Sequence, residues 1–341
     1  MRNRATKRKT TLVDIAAAAN VSAITVSRAL RNPKAVSEKL RERIREVVDE
    51  LGYVPDPAAS ALASRRTNVV GVLIPSVTNN VFSDVLRGIY ATAKGFDIQL
   101  GNTRYSPLEE EKLLRVFLSQ RPAGLIVAGI DQSAAARAQL FEADCPVVQI
   151  MEVGSEPVDM VVGFSHDEAA WTATRHLIEG GYRRIAFLGA RMDPRTQRRL
   201  QGFSRALQHA GLFDERLIVT TPRPSTVTLG CELLGELIAR APDADAVFCN
   251  NDDLAMGVLF EAQRRRISVP EELGICGFND LEMMAVANPP LTSVRTFREE
   301  MGCKAVEMLC ASIEGERIDS PVVDLGFELR IRQSTQRHGL P

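Results

Sequence analysis

Between residues 12 and 51, apolar positions recur every three or four residues, which is the spacing of amphipathic helices. Thr11 and Asp14 can form a capping box, so the pattern predicts a first short helix that begins at residue 12. Asn20 can adopt the left-handed conformation of a tight turn, and Ser22 can cap a second helix. The region therefore opens with two short helices joined by a turn.

The second predicted helix has two different faces. Val26 and Leu30 are expected to point inward, whereas Ile24 and Arg28, four residues apart, fall on the opposite arc. A third amphipathic helix, which stops at Gly52, can close a core around the pair. A buried face with a short polar and cationic outer face is what a helix-turn-helix needs to enter a DNA major groove. An ordinary helical hairpin fits the same pattern.

From residue 69 onward, apolar runs of strand length alternate with helical patterns. The predicted strands are Val69–Pro75, Asp97–Gly101, Ala123–Ala128, Pro146–Met151, Met160–Gly163, Arg184–Gly189, Leu217–Thr221, Ala246–Asn250 and Leu273–Gly277. Helices are predicted between them, for example at Val81–Lys94, Glu109–Arg121, Glu168–Gly180, Thr196–Ala210 and Thr228–Arg240. This alternation indicates parallel sheets covered by helices on both faces. So many strands suit two sheets better than one, with residues 152–162 crossing between them.

The segment between these two regions has a different composition. Pro55 and Pro57 break the third helix, and Ala58–Ser64 can form about two helical turns, which are marginal without a partner. Leu62 is the large apolar side chain of this segment, and Arg65 follows it. It is either a linker leucine that packs on the larger region or a wedge that enters a DNA minor groove between base steps.

The charge of the chain is unevenly distributed. Residues 1–66 carry 14 Lys and Arg against 7 Asp and Glu, a net charge of +7, whereas the whole chain of 341 residues carries −1. Residues 67–341 therefore carry −8. A basic first region on an acidic body suggests that the first region meets a polyanion, with an affinity that falls steeply as salt rises.

The sequence disfavours several classes of protein. The longest apolar runs, such as Val69–Pro75, are far short of a membrane span, and the basic start is not followed by the apolar segment of a signal peptide. We therefore expect a cytoplasmic protein rather than a periplasmic sugar-binding protein. Six cysteines without CxxC spacing and four histidines without ligand spacing indicate free thiols, with no metal and no cofactor. The GxSxG, P-loop and zinc-binding histidine motifs are missing, and no GxGxxG follows the first strand, which disfavours an enzyme.

Motifs in both regions identify a family. The first region carries Thr11-Leu-Val-Asp-Ile-Ala, Val21-Ser, Thr25-Val-Ser-Arg-Ala-Leu-Arg-Asn and Leu51-Gly-Tyr, and the body carries Gly71-Val-Leu-Ile-Pro, His176-Leu-Ile-Glu-Gly-Gly-Tyr, Gly277-Phe-Asn-Asp and Pro289-Pro-Leu-Thr-Ser-Val. In this ordered combination the chain resembles the LacI/GalR family of bacterial transcription regulators over essentially its whole length. Gly189-Ala-Arg-Met-Asp-Pro-Arg and Gly277-Phe-Asn-Asp-Leu-Glu-Met resemble the gluconate-operon repressor branch.

The resemblance implies a fold and a domain plan. We expect a small all-α helix-turn-helix head and an α/β bi-lobed, periplasmic-binding-protein-like core of two doubly wound parallel sheets. The DNA-binding domain is expected at residues 1–54, a hinge helix and linker at 55–67, and an effector-binding and dimerisation core at 68–341. Within the core, lobe 1 is expected at about 68–160 plus 293–320, and lobe 2 at about 161–292 plus 321–341. Because no leucine heptads close the chain, we expect a homodimer on a pseudo-palindromic operator.

The resemblance also implies which residues contact DNA. Ala23, Ile24 and Arg28 match base-reading positions, and Leu62 matches a hinge leucine that enters the central minor groove. Ala23 and Ile24 offer only apolar contacts, such as those to thymine methyl groups, whereas Arg28 can bond a guanine edge or a phosphate. The full predicted set is Thr11, Ser22, Ala23, Ile24, Thr25, Ser27, Arg28, Asn32, Tyr53, Leu62 and Arg65.

Effector contacts are expected from loops at the carboxyl ends of the strands. The candidates are Asn80, Phe82, Arg104, Glu152, Arg199, Asn251, Asp252, Asn279 and Asp280. Arg199 matches an arginine that grips ligand oxygens in relatives, and each of the other polar residues also fits a role as a helix-cap or turn residue. The mixture suits a polyhydroxylated ligand, and a bidentate arginine favours a carboxylate or phosphate.

Gluconate or a related sugar acid is therefore the favoured effector, one that releases the protein from its operator. Three alternatives stay open: a neutral sugar as effector, a corepressor in place of an inducer, and a sugar-binding protein without a DNA function.

Overall fold

The computed structural model describes residues 10–31, 35–53, 67–154 and 156–337. The chain divides into two compact units, Met1–Thr67 and Asn68–Pro341. We call the first unit the head and the second the core. The division between them falls at the end of the predicted linker.

The head contains three described helices around a small apolar centre. They are α1 (Leu12–Ala18), α2 (Ala23–Arg31) and α3 (Glu38–Glu50). Ile15, Val26 and Ile44, one from each helix, are almost fully buried and pack together with small alanines. Leu30 does not join them: it is 36% exposed, and Ala29 takes the inward position instead. The prediction for Leu30 is therefore wrong, because α2 turns its small residue toward its neighbours.

The first sheet of the core has the strand order β11-β5-β4-β3-β1-β2, and every pairing in it is parallel. Its strands are β1 (Val69–Ile74), β2 (Asp97–Asn102), β3 (Gly124–Ala128), β4 (Val147–Ile150), β5 (Met160–Gly163) and β11 (Val322–Asp324). The helices of this lobe are α4 (Asn80–Thr92), α5 (Pro107–Ser119), α6 (Ala134–Phe141) and α12 (Arg298–Ile313). This sheet and these helices form the first lobe.

The second sheet has the order β12-β10-β9-β8-β6-β7 and is parallel except at its edge, where β12 runs antiparallel to β10. Its strands are β6 (Ile185–Ala190), β7 (Ile218–Thr221), β8 (Ala246–Cys249), β9 (Gly274–Asn279), β10 (Thr292–Thr296) and β12 (Phe327–Arg330). The helices of this second lobe are α7 (His166–Glu179), α8 (Pro194–His209), α9 (Val227–Arg240), α10 (Asp252–Arg265) and α11 (Met283–Val286).

Capping residues and glycines determine where the helices begin and how closely they pack. Asp193 accepts the backbone N–H of Thr196 at the start of α8, and comparable Ser, Thr or Asn caps begin α4 to α7, α9 and α10. Gly202 lets α8 approach α7 so closely that a Cβ there would overlap the carbonyl oxygen of Asp167. This packing fixes the face that α8 turns toward the first lobe.

The chain passes between the two sheets after β5, after β10 and between β11 and β12. These positions correct the expected lobe boundaries. Residues 161–163 belong to the first sheet through β5, residues 293–296 to the second through β10, and residues 322–324 to the first through β11. The sequence did not reveal β10 and β11 because these strands are short and partly polar. It did predict β5, but an apolar run does not indicate which of the two sheets a strand joins.

In the described part of the chain, no single helix has the length and apolar character to cross a membrane. The bent pair Leu12–Ala18 and Ala23–Leu30 passes that test on length and composition alone. Among the described residues there is also no group of three or more His, Cys, Asp or Glu side chains placed to hold a metal ion.

Candidate functional site

A cavity of about 350 Å³ lies between the two lobes of the core. It is bounded by loops that follow β1, β2 and β4 in the first lobe and β6, β7, β8 and β9 in the second. Carboxyl ends of parallel strands are the usual place for ligands in doubly wound folds, because helix N-termini and loop side chains converge there. We call this space the interlobe cavity.

The first lobe contributes amides and aromatic rings to the cavity wall. Asn79 caps α4 through its Oδ1, which accepts the N–H of Val81 at 3.0 Å, and its Nδ2 donates to the hydroxyl of Tyr105 at 3.4 Å. Asn80, Phe82 and Tyr105 line the same wall. One helix start therefore supplies both the polar and the apolar surface on this side.

Arg199 of α8 is the most enclosed cation of the cavity, with 7% of the residue exposed. Its Nε donates to Nδ1 of His166 at 3.1 Å, its Nη1 donates to the carbonyl oxygen of Asn250, and its guanidinium lies 3.8 Å from the ring centre of Phe278. Burial, together with the charge of Arg195, lowers the pKa of Arg199 to about 10 despite the acids nearby. In the described structure no carboxylate lies within ion-pair distance of this guanidinium.

His166 holds Arg199 in place. Because Nδ1 accepts a hydrogen bond from Arg199, Nε2 must carry the ring hydrogen and donate a hydrogen bond to the carbonyl oxygen of Met151 at 3.0 Å. Burial and neighbouring arginines lower the pKa of His166, which keeps the ring neutral. The arginine of the second lobe is thus joined through one imidazole to the end of β4 in the first lobe.

Two further arginines of the second lobe face aromatic rings of the first. The guanidinium of Arg191 lies 3.9 Å from the ring centre of Tyr105, and that of Arg195 lies 5.5 Å from the ring centre of Phe82. Nη2 of Arg195 also contacts Asp193 Oδ2 at 3.1 Å. Since Arg195 and Arg199 are four residues apart on α8, both project toward the cavity.

Asp252 is an acid of the wall whose oxygens are both occupied within its own lobe. Oδ2 accepts the backbone N–H of Leu281 and Oδ1 accepts the hydroxyl of Ser293, each at 2.7 Å. Burial raises the pKa of Asp252 to about 6. Its carboxylate fits tightly under β9, because a Cβ on Gly277 would overlap it.

The structure brings six of the nine predicted effector residues to the cavity wall, namely Asn80, Phe82, Arg199, Asn251, Asp252 and Asn279. Asn251 is also the cap of α10, with Oδ1 accepting the N–H of Leu254 at 3.1 Å. Cap and wall roles therefore coincide there, although the sequence posed them as alternatives.

The other three predicted residues lie away from the wall. The side chain of Arg104 is 73% exposed and faces Glu109. Asp280 accepts Nη1 of Arg332 at 2.7 Å, so its carboxylate turns toward the chain end. Glu152 is buried behind the wall, where its Oε2 lies 3.6 Å from Nε of Arg198. These placements correct the prediction, because each of the three side chains is directed to a charged partner elsewhere, namely Glu109, Arg332 or Arg198.

Arg198 links the lobes behind the cavity. It pairs with both oxygens of Asp131, in the loop after β3, at 2.6 and 2.8 Å. The carboxylate of Asp131 is therefore engaged with Arg198. Through its contacts with Asp131 and Glu152, Arg198 connects α8 of the second lobe to the first lobe.

Sequence reasoning missed the wall residues Arg191, Asp193, Arg195, Ser225, Thr226 and Asn250. Helical periodicity contains a signal for one of them, since Arg195 lies one turn before Arg199 and must share its face. Ser225 and Thr226 carry no such signal, because they follow a short edge strand whose neighbours in the fold cannot be read from periodicity.

The head presents two predicted base-reading residues on one exposed arc. Ile24 is 72% exposed, and Arg28 is exposed one turn further along α2. Thr11 and Ser22 both act as caps: Thr11 forms the capping box with Asp14, and the Ser22 hydroxyl accepts the N–H of Thr25 at 3.1 Å. The two predicted caps and the left-handed Asn20 are confirmed.

The remaining predicted DNA contacts are partly packed or lie outside the described residues. Ala23, Thr25 and Ser27 are half-buried along α2, and Tyr53 packs on the apolar centre of the head. Asn32, Leu62 and Arg65 lie outside the described residues. The exposed arc of Ile24 and Arg28 is thus the part of the predicted interface that the structure describes best.

Comparisons with known proteins agree with this architecture. Residues 11–56 match the family described as bacterial regulatory proteins, lacI family, and residues 174–335 match the periplasmic binding protein-like domain. A solved transcriptional regulator of the LacI family from Silicibacter pomeroyi is 37% identical. It covers 96% of this chain and 100% of its own, with a TM-score of 0.89.

Two relatives are similar over almost the entire chain. The HTH-type transcriptional regulator GntR of Pseudomonas aeruginosa is 44% identical over 336 residues, covering 98% of each chain. The HTH-type transcriptional regulator GntR of Escherichia coli K12 is 40% identical over 325 residues, covering 95% of this chain and 98% of its own. The chain therefore belongs to the LacI family of bacterial regulatory proteins, as a DNA-binding transcriptional regulator with a helix-turn-helix head and a two-lobed core.

Proposed function

We propose that this protein is a homodimeric repressor, acting in the cytoplasm, that leaves a pseudo-palindromic operator when a sugar acid, gluconate first, occupies the interlobe cavity. The observation that carries the proposal is the arrangement of charges in the wall. Arg191, Arg195 and Arg199 line it together with Asp193, Asp252 and Asp253, and of the three arginines only Arg195 has a carboxylate within ion-pair distance in the described structure.

Buried charge without a partner favours an anionic ligand. A guanidinium taken out of water costs free energy unless an anion or hydrogen bonds compensate it. Arg199 has hydrogen bonds but no anion, and the lowered pKa expresses the remaining cost. The carboxylate of Asp252 is held in place within its own lobe by the N–H of Leu281 and the hydroxyl of Ser293. An acid bound beside the cluster of Arg191, Arg195 and Arg199 would therefore offset positive charge that the protein alone leaves partly uncompensated.

The rest of the wall suits a polyhydroxylated chain of monosaccharide size. Asn79, Ser225 and Thr226 offer amide and hydroxyl groups that can both donate and accept, as sugar hydroxyls do, whereas the amide of Asn250 is already bonded to Ala190 and Thr196. Asn279, which is 5% exposed, presents a neutral amide where a carboxylate would repel an acid. A volume of about 350 Å³ is at the small end of ligand sites, which matches a six-carbon acid.

Release from DNA requires the effector to prefer one arrangement of the protein. A ligand shifts a conformational equilibrium only by its difference in affinity for the two states. The two walls of the cavity belong to different lobes, so a bound acid would contact both and would favour one relative arrangement of the lobes over another. The exposed arc of Ile24 and Arg28 supplies the groove-facing surface of the head.

Two linked measurements test this proposal. Genomic fragments retained by the purified protein are sequenced, and the bound fragment is then used in an electrophoretic shift assay with and without gluconate, glucose and ribose. Calorimetric titration with the same three compounds measures binding directly. We expect heat with gluconate alone and loss of the shifted band when it is added. Heat only with a neutral sugar contradicts the acid effector, and a stronger shift with gluconate contradicts release.

A further inference from the structure

The three arginines of the cavity wall are held in different ways, which determines what each can offer a ligand. A carboxylate binds an arginine best when it lies beside an edge of the guanidinium, so that two parallel N–H groups point at its two oxygens. Which guanidinium edges are already hydrogen-bonded within the protein therefore determines, more than charge alone, which arginine can bind the carboxylate of a ligand.

Arg199 has already committed much of its donor capacity. Its Nε donates to His166 and its Nη1 to the carbonyl oxygen of Asn250, while Phe278 covers one face at 3.8 Å. The edge that contains Nε is therefore closed to a ligand carboxylate. The N–H groups that are left, on Nη2 and Nη1, can donate to hydroxyl oxygens of the polyol.

Arg195 is held differently. Only its Nη2 is matched with an acid, Asp193 at 3.1 Å, and that acid is itself fixed because its other oxygen caps α8 at the N–H of Thr196. The side chain is 12% exposed and stands over Phe82 of the opposite lobe. The guanidinium of Arg195 is therefore oriented by Asp193 and largely shielded from solvent, and it keeps N–H groups free to bind a ligand in the cavity.

Arg191 lies beside the same ring system. The ring centre of Tyr105 is 3.9 Å from the guanidinium of Arg191 and 5.9 Å from that of Arg195. Among the described residues, Arg191 forms no ion pair. Its φ of 68° places its backbone in the left-handed region, at the turn after β6. Two guanidinium groups from the second lobe thus share one aromatic ring from the first.

We propose that Arg195, assisted by Arg191, is the residue that distinguishes an acid effector from a neutral polyol, whereas Arg199 positions the hydroxyl chain. The assignment rests on the proposed function, and it orients the ligand with its acid group beside Phe82 and Tyr105 and its hydroxyls toward Asp252. Because the arginines and the rings belong to different lobes, an acid group bound there would contact both lobes at once.

The test compares gluconate with gluconamide, which has the same carbon chain and hydroxyls but no charge. Affinities are measured by calorimetric titration of the full chain at one ionic strength. In the unmodified protein we expect gluconate to bind more tightly. In Arg195→Gln we expect gluconate affinity to fall about ten- to a hundredfold, the range for loss of a charge-assisted hydrogen bond. Gluconamide affinity should change less than threefold.

Two further variants separate the roles of the arginines. Arg199→Gln is expected to weaken both ligands by similar factors, so that the preference for the acid survives. Arg205→Gln is the matched control, since it lies on α8, pairs with Asp167 at 2.6 Å and stacks on Trp171 outside the cavity. It should leave both affinities and their ratio unchanged.

Several outcomes overturn the assignment. If Arg195→Gln keeps the preference and Arg199→Gln removes it, Arg199 reads the acid. If Arg195→Gln weakens both ligands equally while thermal denaturation stays normal, Arg195 only shapes the cavity. Should Arg195→Gln fail to fold, Arg191→Gln carries the same comparison and must reduce the preference. An unmodified protein that binds no sugar acid contradicts the proposed function itself, and the assignment with it.

Discussion

Glu152 gives a prediction whose sign and size follow from its surroundings. It is 3% exposed, its Oε1 accepts the N–H of Val153 at 3.3 Å, and within the described residues its Oε2 has no hydrogen-bond partner. Burial raises the pKa of Glu152 to about 7, although Arg198 at 3.6 Å favours the ionised form. The folded protein therefore binds this proton more tightly than the unfolded chain does.

The stability consequence runs opposite to that of an ordinary ion-paired acid. As pH rises from 4.5 toward 7, the unfolded chain loses the proton first, so the folded state becomes less stable by about 3 kcal/mol in all. Glu152→Gln mimics the protonated form at every pH. We expect the variant to exceed the unmodified protein by about 3 kcal/mol at pH 8 and by about 1 kcal/mol or less at pH 5.

Urea denaturation of the full chain at pH 5 and pH 8 measures this difference. Other groups that titrate in this range, such as Asp252, contribute equally to both proteins and cancel in the comparison. Glu156→Gln, at an exposed neighbouring position, is the control and should show the same small effect at both pH values. A variant whose advantage does not grow with pH, or one less stable than the unmodified protein at pH 8, refutes the reasoning.

Three other substitutions probe the head and the helix packing. Arg28→Ala should remove about 1–3 kcal/mol of preference for the operator over a scrambled duplex in fluorescence anisotropy while leaving effector titration unchanged; an unaltered preference would misplace the groove-facing arc. Gly202→Ala should destabilise the core by about 1–3 kcal/mol in urea denaturation, since α8 must move away from Asp167, whereas Ser204→Ala on the same helix should be near neutral. Thr11→Ala should lower the protection of α1 amides in hydrogen exchange by about 1 kcal/mol through loss of the capping box, and full protection would count against it.

Periodicity predicted most of the fold because most strands are buried on both faces. All nine predicted strands coincide with observed ones, and runs such as Val69–Ile74 are apolar throughout because helices cover both sides. The pattern did not predict β10, β11 or β12. In β10 the buried positions include Thr292 and Ser293, whose hydroxyls are satisfied by partners distant in sequence: the carbonyl oxygen of Arg332 for Thr292 and the carboxylate of Asp252 for Ser293. That partnership exists only in three dimensions.

The site was predictable as a set of loops but not as an arrangement of charges. The ends of the apolar runs identified where side chains would converge, and Arg199, Phe82 and Asp252 are there. The sequence could not show that Asp280 is drawn away by Arg332, fifty-two positions later, or that Arg195 stands over a ring of the other lobe. Which charges remain for a ligand depends on such distant pairings, and periodicity carries no information about them.

Neither sheet of the core is built from one continuous stretch of chain, because the backbone passes from one to the other after Gly163, after Thr296 and after Asp324. A C-terminal truncation at any point before β11 therefore removes strands from both halves at once. A chimaera that borrows the ligand preference of a relative would have to exchange several separate segments together, and a proteolytic fragment of either half would lack an edge strand. The proposed response to an effector therefore depends on the entire core.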